Sequence, residues 1–265
     1  MKQIYVLALL PLLLIHCSDK RAPDGERRDA PTTRTISVAA AADLKFALLE
    51  VIDLFMKTHP DIAVKPSYGS SGSYFAQLSN GAPFDIFLSA DIEYPRKLVA
   101  NGLALPESEF RYAIGRVVVW APGGSGVDVK KFGMLSLTQP GIRKVAIANP
   151  EHAPYGRAAE SAMRHYRVYD QVKNRLVLGE NISQTMQFVE SGAADVGIIA
   201  LSLAMAPAMR GKGDYWVIPA EAHPNIEQGG VILSSTKERE AARLFLAFLT
   251  SVKGREILAR YGFTL

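Results

Sequence analysis

One cysteine, Cys17, is all the thiol that this chain of 265 residues carries. Without a second thiol there is no intramolecular disulfide and no cysteine-based metal site. Histidine is scarce too: His16, His59, His152, His165 and His223 complete the set, and no pair stands at metal-ligand spacing. No block of Lys or Arg exists. The net charge of +4 and the pI near 9.1 come from basic residues dispersed among acidic ones. That is a mixed, solvated surface and no nucleic-acid footprint. Enzyme signatures are missing as well. GSSGS (69–73) has Ser where a nucleophile elbow needs its second Gly. No lysine follows a glycine cluster as in a P-loop, and GKGDYW lacks the third glycine of a dinucleotide fingerprint. No pair of acids has an obvious catalytic spacing.

Long apolar runs are limited to the N-terminus. Lys2 followed by the run from Ile4 to Ile15 has the form of an export signal and is too short to span a bilayer. Leu14, Ile15 and His16, just before Cys17, resemble a bacterial lipobox, in which the cysteine is lipidated and becomes the mature N-terminus. His16 departs from that pattern, where a small residue is usual. Residues 1–17 are therefore expected to be a signal peptide with a lipobox-like end, a plain cleaved signal being the alternative. Residues 18–35 are polar and mixed in charge, with Pro23 and Pro31, and read as a disordered tether. The expected location is periplasmic or on the outer face of a membrane, held only by a lipid on Cys17.

The remainder, in a chain 48% hydrophobic and 21% charged, has material for a sizeable core. Short apolar runs at 36–42, 62–68, 84–90, 113–122, 145–149, 196–202, 215–220 and 229–234 alternate with helical stretches. This predicts an α/β fold built on parallel sheets. After Asp43, Leu44, Ala47, Leu48, Val51, Leu54 and Phe55 recur at helical spacing. Pro66 marks 62–68 as an edge or irregular strand. In such folds ligands bind at the carboxyl ends of strands, where helices begin. Four junctions fit: Ala42-Asp43, Gly69-Ser70-Ser71-Gly72, Pro154-Tyr155-Gly156 and Asn181-Ile182-Ser183. The first turn of a helix has free N–H groups and a partial positive charge. Several such turns aimed at one point hold an anion without a cation. SYGSSGSYF (67–75), with three hydroxyls between its tyrosines and no Lys or Arg, reads as one wall of a neutral oxyanion cradle. An ordinary capped turn is the alternative.

AAADLKFAL, YGSSGSYFAQLSNGAPFDIFLSAD, IANPEHAPYGRAA, LVLGENISQTMQFVESGAADVGIIALSLA and ARYGF occur in this order in the chain. In order and spacing they resemble the periplasmic molybdate-binding proteins of ABC importers (ModA-type), from about residue 36 to the end. The resemblance implies a two-lobed periplasmic binding fold of type II, each lobe a mostly parallel sheet flanked by helices, with the ligand in the cleft. Lobe 1 would comprise 36–118 plus 222–265, and lobe 2 119–221. It implies capture of molybdate and tungstate through neutral hydrogen bonds by a monomer, delivery to an ABC permease, no cofactor and no catalysis. Molybdenum would be held as its oxyanion, with no metal-cation site. Carried over position by position, the contacts are the Ala42-Asp43 turn, Ser71 with Ser70 as a weaker neighbour, Tyr155, and the N–H of Ile182.

Two departures stand out. Asp43 replaces the Ser or Asn of family branches, and a carboxylate facing a dianion repels it. Asp43 either turns away and caps its own helix, or accepts a proton from a protonated oxyanion such as hydrogen phosphate. Ala200 stands where some members have a contacting Tyr, which leaves Tyr155 as a phenolic donor or as a lid on the hinge. Arg157 is expected on the exposed side of its helix, and His152 at the surface or behind the ligand contacts. Three rivals remain: a phosphate or sulfate binder of the same fold, an extracellular oxyanion sensor, and a transferase-like enzyme using His152 or Asp43.

Overall fold

Residues 33–264 are described by the structure, a computed structural model; Cys17, the expected signal peptide and most of the expected tether lie outside them. The chain lays down β1 (Arg34–Ala41), β2 (Ile62–Gly69), β3 (Ile86–Ser89) and β4 (Phe110–Gly115). It continues with β5 (Val117–Pro122), β6 (Val145–Ala148), β7 (Leu176–Gly179), β8 (Val196–Ala200) and β9 (Gly213–Val217), and returns for β10 (Ile226–Ile232). Two five-stranded sheets result, ordered β2-β1-β3-β10-β4 and β7-β6-β8-β5-β9.

Both sheets follow one plan. In each, the strand in fourth place runs antiparallel to its neighbours, β10 between β3 and β4 and β5 between β8 and β9, while the first three strands are parallel. The sheets are therefore mixed. In both, the reversed strand is the first one laid down after the chain crosses from one sheet to the other. This shared plan is the type II periplasmic binding fold.

AIGRVVVWAP, expected as one strand, is two. Gly115 ends β4 in the first sheet and Val117 begins β5 in the second, so the first crossing is Arg116 alone. Gly115 and Arg116 interrupt the run at that point, and the interruption is the one local mark of the break. The return crossing lies in 218–225. The tether also ends earlier than its expected limit of 35. Arg34 already pairs with Ile62 in the ladder, and its guanidinium meets Asp61 at 2.6 Å. Pro66 does lie on an edge strand, β2, where its missing N–H costs no ladder bond.

Helices cover both sheets: α1 (Lys45–Thr58), α2 (Ser71–Ser79), α3 (Glu93–Ala100), α4 (Val129–Phe132), α5 (Pro154–His165), α6 (Tyr169–Val172), α7 (Ile182–Glu190), α8 (Leu201–Ala204), α9 (Arg239–Thr250) and α10 (Val252–Arg260). A single 3-10 turn, Ala42–Leu44, joins β1 to α1. The apolar stripe of α1 buries Ala47, Leu48, Val51 and Phe55. Phe55 is packed edge-on by Phe245 and Phe248 of α9 at 5.2 and 5.6 Å, so the end of the chain is clasped to the first sheet. Among the described residues, no helix is long and apolar enough to cross a membrane.

Phe55 is fully buried at the point where α1 meets α9. Phe55→Ala should therefore cost about 3–5 kcal/mol of stability, read as a lowered urea midpoint with an unchanged slope.

Candidate anion-binding site

Four helix starts meet between the sheets. The pocket there is lined by Ala41, Ala42, Asp43, Gly69, Ser70, Ser71, Ala90, Ala153, Pro154, Tyr155 and Ile182. It is small, about 190 Å³ of empty space including its mouth, and none of its lining residues is Lys, Arg or His. The six residues expected as ligand contacts, Ala42, Asp43, Ser70, Ser71, Tyr155 and Ile182, all line this wall, while Gly72, Gly156, Asn181 and Ser183 of the same junctions do not.

The hydrogen bonds of each first turn show which donors remain. In α2 the N–H of Gly72 goes to the carbonyl of His152 at 2.9 Å and that of Ser73 to Ser70 Oγ at 3.3 Å. In α7 the Asn181 side chain accepts from Ser183 and Gln184, both at 3.0 Å. In α5 Pro154 has no N–H, and those of Gly156 and Arg157 go to the carbonyl of Ala153. One first-turn N–H per helix is left with no protein acceptor among the described residues: Ser71, Tyr155 and Ile182. Each of the three lines the pocket. The Ser71 hydroxyl accepts from the N–H of Ala90 at 2.9 Å, which leaves its proton free to donate.

Ser70 is different from what the sequence suggested. Its hydroxyl is the N-cap of α2 and donates to Ser73 Oγ at 2.8 Å, so it is committed to the turn. Gly72 has a steric reason. A Cβ there would stand 2.6 Å from the His152 carbonyl oxygen, closing off the approach that bonds α2 to the opposite wall. His152 itself faces away: its Nε2 lies 3.0 Å from the carbonyl oxygen of Glu180.

Asp43 is 1% exposed. Its Oδ2 accepts from the Tyr155 phenol at 2.9 Å and from Gln228 Nε2 at 2.6 Å, and Gln228 Nε2 also reaches the Tyr155 oxygen at 3.0 Å. The Ser202 hydroxyl of α8 donates to the Asp43 carbonyl at 2.8 Å. Asp43 Oδ1 and Gln228 Oε1 are buried with no hydrogen-bond partner among the described residues. The carboxylate therefore does not act as a simple cap on its own helix, since the cap position is Ala41 and carries no side-chain bond. Tyr155 is not a free phenolic donor either, because its one proton is taken by Asp43. Only its backbone N–H faces the pocket unused.

Gln228 and Ser202 went unread in the sequence. The last strand was expected to start at Gly229, which left Gln228 outside it. A register shift between Gln228 and Gly229 on β10 marks the spot, and such bulges re-aim side chains. Gly115 makes room for the cluster: a Cβ there would lie 2.2 Å from the Tyr155 hydroxyl oxygen. Arg157 lies toward the exposed side of its helix, as expected. It is half exposed, yet its guanidinium meets Asp91 beside β3 at 2.7 Å, linking the two walls. An exposed pair of this kind is worth about 0–1 kcal/mol.

Burial is the main cause that pushes Asp43 from an ordinary 3.8 up to about 6, with the Gln228 and Tyr155 donors, and then the backbone N–H groups of Asp43 and Leu44, pulling the other way. Burial, and then the charge of Asp43, holds the Tyr112 and Tyr155 phenols well above 10, so both stay neutral.

The bacterial extracellular solute-binding protein family model matches residues 36–264. The chain belongs to that family, among its ModA-type members. The ModA molybdate-binding protein of Rhodobacter capsulatus is 37% identical over 74% of this chain and 75% of its own length. That of Azotobacter vinelandii is 33% identical over 87% and 90% respectively. The solved Azotobacter vinelandii periplasmic molybdate-binding protein superposes with a TM-score of 0.80 at 36% identity, covering 87% of this chain and 99% of its own. Members of this family bind and hand over solutes; they are not enzymes.

A carboxyl group whose pKa rises on folding stabilises least where the unfolded form is already ionised. Between pH 3.8 and about 6 the folded chain keeps a proton at Asp43 that the unfolded chain has released. Stability is thus lost as pH rises through that window, and the full cost, about 3 kcal/mol, is present above it. Asp43→Asn should be more stable than wild type by up to that amount at pH 7.5 and gain nothing at pH 4, as read from urea midpoints at the two pH values.

Proposed function

We propose that the chain is an extracytoplasmic solute-binding protein that captures molybdate, and also tungstate, through neutral hydrogen bonds and delivers it to an ABC importer. The observation that carries this reading is the set of three leftover helix-start N–H groups, at Ser71, Tyr155 and Ile182, in one small pocket without a cation. ModA relatives in Rhodobacter capsulatus and Azotobacter vinelandii are named for molybdate. The Ala42-Asp43 turn and the Ser71 hydroxyl complete the donor set, and Ser70 supports it as a cap. The ligand is cargo, neither cofactor nor substrate of a reaction.

The two sheets are read as the cores of two lobes that close over the oxyanion. The Gly72–His152 hydrogen bond and the Arg157–Asp91 ion pair join across the closed cleft. Closure of this kind buries the ligand and forms the surface that a permease reads. The family is extracellular, so the protein works outside the cytoplasm. Attachment through a lipid on Cys17 and a monomeric state complete the reading, the former resting on the sequence before Cys17.

Selectivity over sulfate would come from cavity size, because donors alone do not separate two dianions of equal charge. A second reading, a phosphate binder, is favoured by one feature, the unpaired Asp43 Oδ1, which could accept a ligand proton. Calorimetric titration of the ligand-stripped protein with molybdate, tungstate, sulfate and phosphate decides between them. Heat from molybdate and tungstate with none from the other two is expected. Preferential phosphate binding would establish the second reading, and silence from all four would overturn both.

Ile182 offers a backbone test. It is the first residue of α7, where proline is tolerated, and Asn181 before it is extended (φ −154, ψ 172), as a residue preceding proline prefers. Ile182→Pro should keep the fold and delete one N–H donor. The loss of a hydrogen bond to a charged group, about 1.5–3 kcal/mol, should weaken molybdate roughly ten- to hundredfold in the same titration.

A further inference from the structure

A buried carboxylate in the wall of an anion pocket needs an account of its charge. Asp43 lines the pocket and is 1% exposed. The side chains packed on it are Tyr155 of α5, Gln228 of β10, Tyr112 of β4 and Ser202 of α8, and the backbone N–H groups of Asp43 and Leu44 also lie beside its carboxyl. None is a cation, and none is a base that could relieve it. Oδ2 already has two donors, while Oδ1 has none among the described residues. An anion beside an ionised Asp43 would place like charges in one dry pocket, which favours the neutral acid.

We propose that Asp43 makes oxyanion capture proton-linked: with a dianion in the closed pocket Asp43 is held as the neutral acid, so each ligand bound draws one proton into the protein. The proton comes from solvent and lands on Oδ1, the oxygen without a donor. This turns an orphan acceptor into a hydroxyl donor at the pocket wall and leaves the Tyr155 and Gln228 bonds to Oδ2 in place. Asp43 thereby sets the charge that the site accepts, and affinity depends on pH in a definite direction. The ligand-free carboxyl is largely ionised above about pH 6 even in the closed geometry, whereas the ligand-bound one keeps its proton. Binding should weaken as pH rises beyond that point, approaching tenfold per pH unit. Below it both states hold the proton and the dependence fades. The inference rests on the oxyanion-capture reading above.

Titration calorimetry with molybdate at pH 7.5, in two buffers of different ionisation enthalpy, counts the protons directly. Wild type should take up close to one proton per molybdate, and Asp43→Asn close to none. The affinity of wild type should fall between pH 6 and pH 8, and that of Asp43→Asn should stay flat. Molybdate heat without proton uptake in wild type overturns the linkage alone. Uptake that persists in Asp43→Asn overturns it too, since the proton then belongs to another group. No molybdate heat at any pH overturns the capture reading, and the linkage with it. The wild-type count stands by itself if Asp43→Asn fails to fold.

Discussion

Asp43 must be solvated by protein, and its donors come from distant parts of the chain. Tyr155 belongs to the helix after β6, in the second half, and Gln228 to the strand that returns to the first sheet. A buried carboxylate without such donors would be prohibitively costly. The Tyr155 bond joins the two walls, so on the proposed closure, bringing the walls together and solvating Asp43 would be one event. The tolerance is narrow. Gly115 cannot carry a side chain without striking the Tyr155 hydroxyl, and Gly72 cannot without striking His152. Both glycines stand where a residue of one half packs against the other.

The repeated sheet plan explains why helix starts face each other at all. In each sheet the parallel strands β1 and β2, or β6 and β7, end at the cleft and hand over to a helix. The reversed strands, β5 and β10, carry the chain across between the halves. Helix starts from both halves therefore line one gap, and their unspent N–H groups make it a candidate anion site. No sequence repeat accompanies the repeated plan. Each half buries its strands between helices with different apolar residues, so only the order and direction of strands are shared.

Much of this was legible locally. Ser70 and Asn181 are capping residue types standing before apolar-periodic runs, and both act as caps. The buried strands read as short apolar runs because both of their faces are covered. What was not legible is nonlocal. The break at Arg116 separates two strand-like stretches, and their membership of different sheets is fixed by their partners. The Tyr155–Asp43 bond spans 112 positions and the Gln228–Asp43 bond 185. Periodicity carries no information on such pairs. The phenol of Tyr155 illustrates the limit: the residue lines the candidate site, but its proton goes to a side chain and only its backbone N–H is left to face the pocket.

The absence of Lys and Arg from the pocket has a physical consequence of its own. A lysine at the centre would attract any anion as a mobile point charge, with little demand on shape. N–H groups at helix starts are fixed in position and direction, so they reward a ligand only where its oxygens match them. They also carry fractional charge, and a full dianion among them is only partly balanced. An ionised Asp43 would worsen that balance, and a neutral Asp43 would not. On the proposed reading, such a wall would discriminate on geometry through its backbone and on total charge through one titratable residue, and substitutions at Ile182 and at Asp43 would alter these two criteria separately.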